Sequence, residues 1–117
     1  MREPARDRER LLHIQEALSN IKEFTDGIIR EQLFSDKMRY FAVVKNIEIV
    51  GEAANMLTLE FREKHCDLPW KAIIGMRNVI VHDYINIHED LLWDTVKNDI
   101  PELEKHISAY LKEFQNE

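Results

Sequence analysis

The sequence predicts an all-α protein, an antiparallel bundle of four to five helices folded as one domain over residues 1–117. Three observations point there. Glycine and proline number only three each in 117 residues, too few for the many turns of a β protein. Apolar residues recur at three- and four-residue steps along several long stretches. Hydrophobic residues make up 44% of the chain and charged ones 32%, enough to fill a core and to cover it.

The first helical stretch is expected from about Pro4 to Asp26. Leu11, Ile14, Leu18 and Ile21 make its apolar stripe, and Gly27 is a natural stop. A break follows from Gly27 to Ser35. The second stretch is expected from Asp36 to His65, a rod of about 45 Å at roughly 1.5 Å per residue. Its seam is Tyr40, Val43, Ile47, Val50, Ala54, Leu57 and Phe61. Lys45, Glu48, Glu52 and Asn55 fall on another face, which reads as solvated. Gly51 costs the helix about 1 kcal/mol relative to alanine, and close approach of a neighbouring helix would account for it.

The third stretch is expected from Leu68 to Asp83, with Asp67 as cap and Pro69 in the first turn, where its missing N–H does no harm. Ile73, Ile74, Met76, Val79, Ile80 and Val81 make it apolar around most of its circumference. Such a helix is buried on more than one side, and in so small a bundle the second side suggests a partner chain. The fourth begins near Ile87. Asn86 with Glu89, and Asp99 with Glu102, have capping-box spacing. Pro101 predicts a kink or restart, one helix ending near Asn98 and another beginning at Ile100. Leu103, Ile107, Tyr110 and Phe114 form the buried face of the last piece.

Composition excludes several classes. Cys66 is the one cysteine, so there is no disulfide framework. No apolar run is long enough for a membrane span, and the charged start MREPARDRER has no signal-peptide core, so the expected location is the cytoplasm. None of His13, His65, His82, His88 and His106 has a glutamate three residues before it, and no H-E-x-x-H, P-loop, nucleotide-binding glycine fingerprint or G-x-S-x-G elbow occurs. Neither a metal nor a cofactor is expected. The net charge of −6 argues against general nucleic-acid binding.

One segment departs from ordinary bundle chemistry. Met76-Arg77-Asn78-Val79-Ile80-Val81-His82-Asp83-Tyr84 places Arg, Asn, His and Tyr in the most apolar helix of the chain. Burying such groups is costly unless they are paired or functional. At about 100° per residue, with Arg77 at zero, Tyr84 falls near −20°, Asn78 near 100° and His82 near 140°. Ile73, Met76 and Ile80 fall between about −100° and −40°, the side expected to face the core. An arginine fork matches phosphate oxygens, and an imidazole with an unperturbed pKa near 6.5 exchanges protons near neutrality. Asn78, a turn before His82, can orient either group. This set suits phosphodiester cleavage without a metal, with an RNA 2′-OH as nucleophile.

Arg77-Asn78-Val79-Ile80-Val81-His82 fits the R-x4-6-H motif of HEPN domains, and His82-Asp83-Tyr84 extends it to R-x4-H-x-Y. The chain thereby resembles the HepT-like toxin branch of that family. Lys45-Asn46-Ile47-Glu48-Ile49-Val50-Gly51-Glu52-Ala53-Ala54 is similar to the family's second-helix signature, and Leu68-Pro69-Trp70 to the start of its third helix. The resemblance implies a HEPN-like bundle and a metal-independent endoribonuclease toxin acting on RNA, tRNA being a plausible class. It implies Arg77 and His82 as the catalytic pair and Asn78 as a supporting residue. It implies a minimal nucleotidyltransferase as antitoxin, which silences the toxin by attaching AMP to Tyr84. It also implies a homodimer with the active cleft at its interface. The alternative is a non-catalytic HEPN dimer that binds a nucleotide or docks a nucleotidyltransferase. Lys37, Arg39 and Lys45 are candidates for an RNA path, and Trp70 and Trp93 read as packing anchors rather than base-stacking platforms.

Overall fold

The computed structural model describes residues 6–81 and 89–115, without the side chains of 77–81. Every element among them is helical: α1 (Asp7–Thr25), α2 (Arg30–Ser35), α3 (Lys37–Met56), α4 (Leu59–Lys64), α5 (Trp70–Val81), α6 (Glu89–Asp94), a π-helical segment (Thr95–Asp99) and α7 (Ile100–Gln115). The expected all-α bundle is therefore found, with α2 and α4 as short additions. Helix α1 lies between α3 and α7, and α3 lies between α1 and α5.

The apolar stripes behave as their spacing requires. Leu11, Ile14, Leu18 and Ile21 of α1 are buried, as are Val43, Ile47, Val50 and Ala54 of α3 and Leu103, Ile107 and Tyr110 of α7. Gly27 ends α1 with φ +70°, a backbone conformation open to glycine at no steric cost. Inside the α1–α3 contact, Asn46 donates to the Ala42 carbonyl at 2.7 Å and accepts from Asn20 at 3.1 Å, so this signature residue is a buried structural pin.

Two expectations are corrected. The single rod from Asp36 to His65 is two helices: Leu57 and Thr58 are extended, with ψ of 146° and 153°. The cause lies 51 residues away in sequence. Asp7, buried at the first position of α1, accepts the Thr58 N–H at 2.9 Å and the Thr58 hydroxyl at 2.8 Å. Thr58 Oγ1 in turn accepts the Phe61 N–H at 3.1 Å and caps α4. Leu57 and Phe61 stay buried across the break, so the seam survives where the helix does not.

The second correction concerns Pro101. The chain does not leave the helical path before it. Instead the Ile100 N–H bonds to the Thr95 carbonyl, a five-residue π turn. The proline ring would otherwise press on the carbonyl of Lys97, four residues back, and the widened turn gives it room. Helix α7 begins at Ile100 as expected, but it follows Asp99, the last residue of the π segment, with no break in the helical path. The Asn86 cap lies outside the described residues.

Candidate active site

The proposed chemistry resides on α5, whose start is held tightly. Pro69 needs no partner for its absent N–H, and its carbonyl accepts the first helical bond, from Ile73 at 3.0 Å. Leu68 and Trp70 are buried, and the Trp70 indole donates to the His65 carbonyl at 2.8 Å. Trp70 is the expected anchor. Trp93 is half-buried, with the Lys97 ammonium 4.7 Å from its ring centroid.

Asp67 does not cap α5 as expected. It accepts the Tyr110 hydroxyl at 2.6 Å and faces His106 Nδ1 at 3.0 Å, both from α7. Next to it, the His65 ring stacks on Phe61 at 4.0 Å. Its Nδ1–H donates to the Phe61 carbonyl at 2.8 Å, and its Nε2 faces Glu113 at 2.9 Å. The loop from residue 65 to 69 is thus clamped to α7, and α5 leaves it in a fixed direction. Sequence reading missed this clamp because its partners lie 39 to 48 residues apart, beyond any periodicity.

The clamp carries a signed pH dependence. Burial, and then the Asp67 carboxylate it donates to, raise the Tyr110 pKa well above the ordinary phenol value. Tyr110 therefore contributes stability below about pH 10 that is lost as pH rises toward its folded-state value. The Tyr110 hydroxyl, more than any other group, lowers Asp67 below the usual carboxylate range. That contribution is present above about pH 4 and lost as pH falls. Tyr110→Phe should lower stability at pH 7 by about 1 kcal/mol, modest because Asp67 is solvent-exposed. It should also flatten both limbs of a plot of melting temperature against pH. Limbs as steep as those of the wild type would show that the clamp does not titrate in this way.

The described turns of α5 also correct the face assignment. On the angular scale set by Arg77, Trp70 falls near +20° and Ile73 near −40°, and both are buried. Ile74, near 60°, also packs on the core. The core stripe of α5 is therefore wider than expected, and the backbone position of Arg77 shares its register. Lys71 near 120° is exposed, and half-buried Gly75 near 160° has no described heavy atom within 4 Å of where a Cβ would sit. The backbone position of Asn78 shares the register of Lys71. On the opposite flank an apolar groove of about 450 Å³ runs between α5 and the α6–α7 rod, lined by Ala72, Ile73, Met76, Leu91 and Leu103.

Arg77 and Asn78 lie on the backbone of α5, within its last two turns. His82 and Tyr84 lie outside the described residues. The next described element is α6, where Arg30 of α2 pairs with Asp90 at 2.6 Å and Glu89 at 3.6 Å. Of the basic candidates, Lys37 and Lys45 are exposed. Arg39 is committed to structure: its guanidinium donates to the Phe24 carbonyl and pairs with Asp36 at 3.6 Å. Among the described residues no cluster of His, Cys, Asp and Glu could hold a metal, and no helix is long and apolar enough to cross a membrane.

The described residues form a small all-α bundle whose clamped helix α5 carries the candidate residues Arg77 and Asn78. Residues 14–110 match the family described as Ribonuclease HepT-like, and the chain belongs to that family. It is 38% identical over 97 residues to "Putative RNase MJ1380" of Methanocaldococcus jannaschii, covering 83% of this chain and 89% of the relative. It is 40% identical over 90 residues to "Probable ribonuclease HepT" of Thermococcus cleftensis, covering 77% and 82%. No solved structure matches the chain.

Proposed function

We propose that the chain is a metal-independent endoribonuclease toxin of a toxin–antitoxin pair, acting in the cytoplasm on RNA, with tRNA as a candidate class. One observation carries this reading. The family match spans residues 14–110, and Arg77-Asn78-Val79-Ile80-Val81-His82-Asp83-Tyr84 stands intact within that span.

His82 takes the proton of the RNA 2′-OH as that oxygen attacks the adjacent phosphorus. The bond from phosphorus to the 5′-oxygen breaks, and the leaving oxygen takes a proton from a protonated His82 of a second copy. Arg77 neutralises the charge that grows on the phosphoryl oxygens, and Asn78 positions the pair. The products are a 2′,3′-cyclic phosphate and a 5′-hydroxyl. The apolar groove beside α5 supports the dimer that this scheme uses.

The antitoxin in this reading is a minimal nucleotidyltransferase that attaches AMP to Tyr84. Each added phosphate competes for Arg77, and each adenosine blocks the RNA path. Met38 and Phe41, 84% and 63% exposed one turn apart on α3, offer an apolar contact for a protein partner.

Inducible expression in bacteria tests the reading. Wild type should arrest growth, and Arg77→Ala and His82→Ala should not. Tyr84→Phe should stay toxic when the nucleotidyltransferase is co-expressed, while wild type is silenced. Loss of activity in folded Tyr84→Phe would make Tyr84 catalytic instead. Equal growth of all strains, with no RNA cleavage by the purified unmodified protein, would leave the non-catalytic dimer as the correct reading.

A further inference from the structure

The loop from residue 65 to 69 begins at His65, whose side chain is only 12% exposed. Both nitrogens of its ring meet acceptors. Nδ1 lies 2.8 Å from the Phe61 carbonyl oxygen, and Nε2 lies 2.9 Å from Glu113 Oε1. A carbonyl and an ionised carboxylate have no proton to give, and a neutral imidazole has only one N–H. A neutral ring in this pose would press a lone pair against an oxygen. Only the doubly protonated ring donates to both. Its packing agrees: the ring lies over the face of Phe61, with centroids 4.0 Å apart and 21° between planes, where the negative π face favours a cation.

The same residue ties down the start of α5. Its carbonyl accepts the Trp70 indole N–H at 2.8 Å and the Leu68 N–H at 3.4 Å, and buried Trp70 is the first residue of α5. Ring and carbonyl belong to one residue, so a ring that leaves Glu113 lets the carbonyl turn and slackens its bonds to Trp70 and Leu68. The other titratable groups packed here are engaged elsewhere or exposed. Asp67 meets Tyr110 and His106, the second nitrogen of His106 faces Glu102 at 3.6 Å, and Lys64 pairs with Glu60 at 3.4 Å. Cys66 is exposed. The Tyr110 ring, 4.4 Å from that of His65, closes its other side. Glu113 is thus the carboxylate that holds the ring.

We propose that His65 is a proton-operated latch joining α4, α7 and the start of α5. With the ring doubly protonated and Glu113 ionised, one side chain bridges α4 to α7, and the carbonyl that seats Trp70 is fixed. As pH rises through the range in which histidines shed a proton, about 5 to 8, the Glu113 arm is lost and the start of α5 loosens. The latch is closed on the acid side of neutrality and open on the alkaline side. Its contribution to stability has the same sign, present at the lower pH and lost as pH rises. It places the helix that carries Arg77 and Asn78 under control of proton concentration, and its effect on cleavage rests on the ribonuclease reading above.

Hydrogen exchange of the Trp70 indole and Leu68 amide protons tests the latch. It is followed by NMR at about pH 5.5 and about pH 8, corrected for intrinsic rates, in wild type, Glu113→Gln and His65→Gln. Glu113→Gln is the sharpest variant, because an amide donates to a neutral ring and accepts from a charged one. In wild type, protection should fall about 5-fold from the lower to the higher pH. In Glu113→Gln it should be equal at both, and in His65→Gln equally weak at both. The wild-type His65 ring should carry protons on both nitrogens at the lower pH. The ratio of wild-type to Glu113→Gln cleavage rates should fall along with protection, since the titration of His82 cancels in that ratio. Equal protection of wild type at both pH values would overturn the latch. So would a Glu113→Gln protein that loses protection as wild type does, or a singly protonated ring at the lower pH. A cleavage ratio that stays constant with pH would overturn the latch as a control of activity. If the exchange pattern holds while neither protein cleaves RNA, the latch stands and the ribonuclease reading fails.

Discussion

Arg77→Ala and His82→Ala should each lower the rate of RNA cleavage by about 10²–10⁴-fold with the fold intact. The magnitude follows from the chemistry assigned to each group. Without His82 the 2′-hydroxyl must lose its proton to water as it attacks. Without Arg77 the growing phosphoryl charge has no fixed cation beside it. The two act on one transition state, so the double variant should be little worse than either single one. Lys in place of Arg77 should restore only part of the rate, because an ammonium is a point charge and cannot make the two-pronged contact of a guanidinium. The Asp7–Thr58 contact and the α7 clamp are built from other residues, so melting temperatures should stay within a few degrees of wild type. A large fall in melting temperature would mean that Arg77, in register with buried Trp70 and Ile73, serves packing instead.

The second large effect belongs to the fold. Asp7→Ala should destabilise the protein by about 2–4 kcal/mol, lowering its melting temperature by on the order of 10 °C. The substitution removes two buried hydrogen bonds and leaves the Thr58 N–H without a partner. It also removes an acid from the first turn of α1, where the helix dipole favours negative charge. Thr58→Ala should cost less, since the backbone N–H keeps Asp7, and Thr58→Ser less again. The Asp7→Ala, Thr58→Ala pair should be less than additive because the two residues share a bond. Thermal denaturation of the four variants measures this directly. An Asp7→Ala protein that melts with wild type would show that the break between α3 and α4 does not depend on Asp7.

These two predictions mark what the sequence makes legible and what it does not. The stripes of α1, α3 and α7 were readable because burial repeats with the helical period, and each named core position is buried or packed on the core. The break at Leu57–Thr58 was not readable, because the three- and four-residue spacing runs through it undisturbed. Its cause is a carboxylate 51 residues away. Asp67 looked like a cap because it precedes Pro69, yet α7 claims it from 39 and 43 residues away. Pro101 signalled a disturbance correctly but could not specify a π turn rather than a kink. α2 escaped notice because six residues are too few to show a period.

The candidate site stands on a different footing, since it rests on the sequence itself. Arg77, Asn78, His82 and Tyr84 stand out because polar groups in an apolar helix need a cause, and because their spacing matches a family motif. That Arg77 and Asn78 stand in different registers of α5 was not legible. Only the burial of Trp70 and Ile73 and the exposure of Lys71 separate the register of Arg77 from that of Asn78.

The central claim is that Arg77 and His82 drive attack by the RNA's own 2′-hydroxyl, without a metal. The most direct measurement is cleavage by purified unmodified protein in excess chelator. The substrate is an oligoribonucleotide, compared with the same strand carrying a single 2′-deoxy residue at the cleaved position. The account predicts cleavage of the first to a 2′,3′-cyclic phosphate and a 5′-hydroxyl, and an intact second strand. Cleavage of the deoxy-substituted strand, or a product ending in a 5′-phosphate, would contradict it.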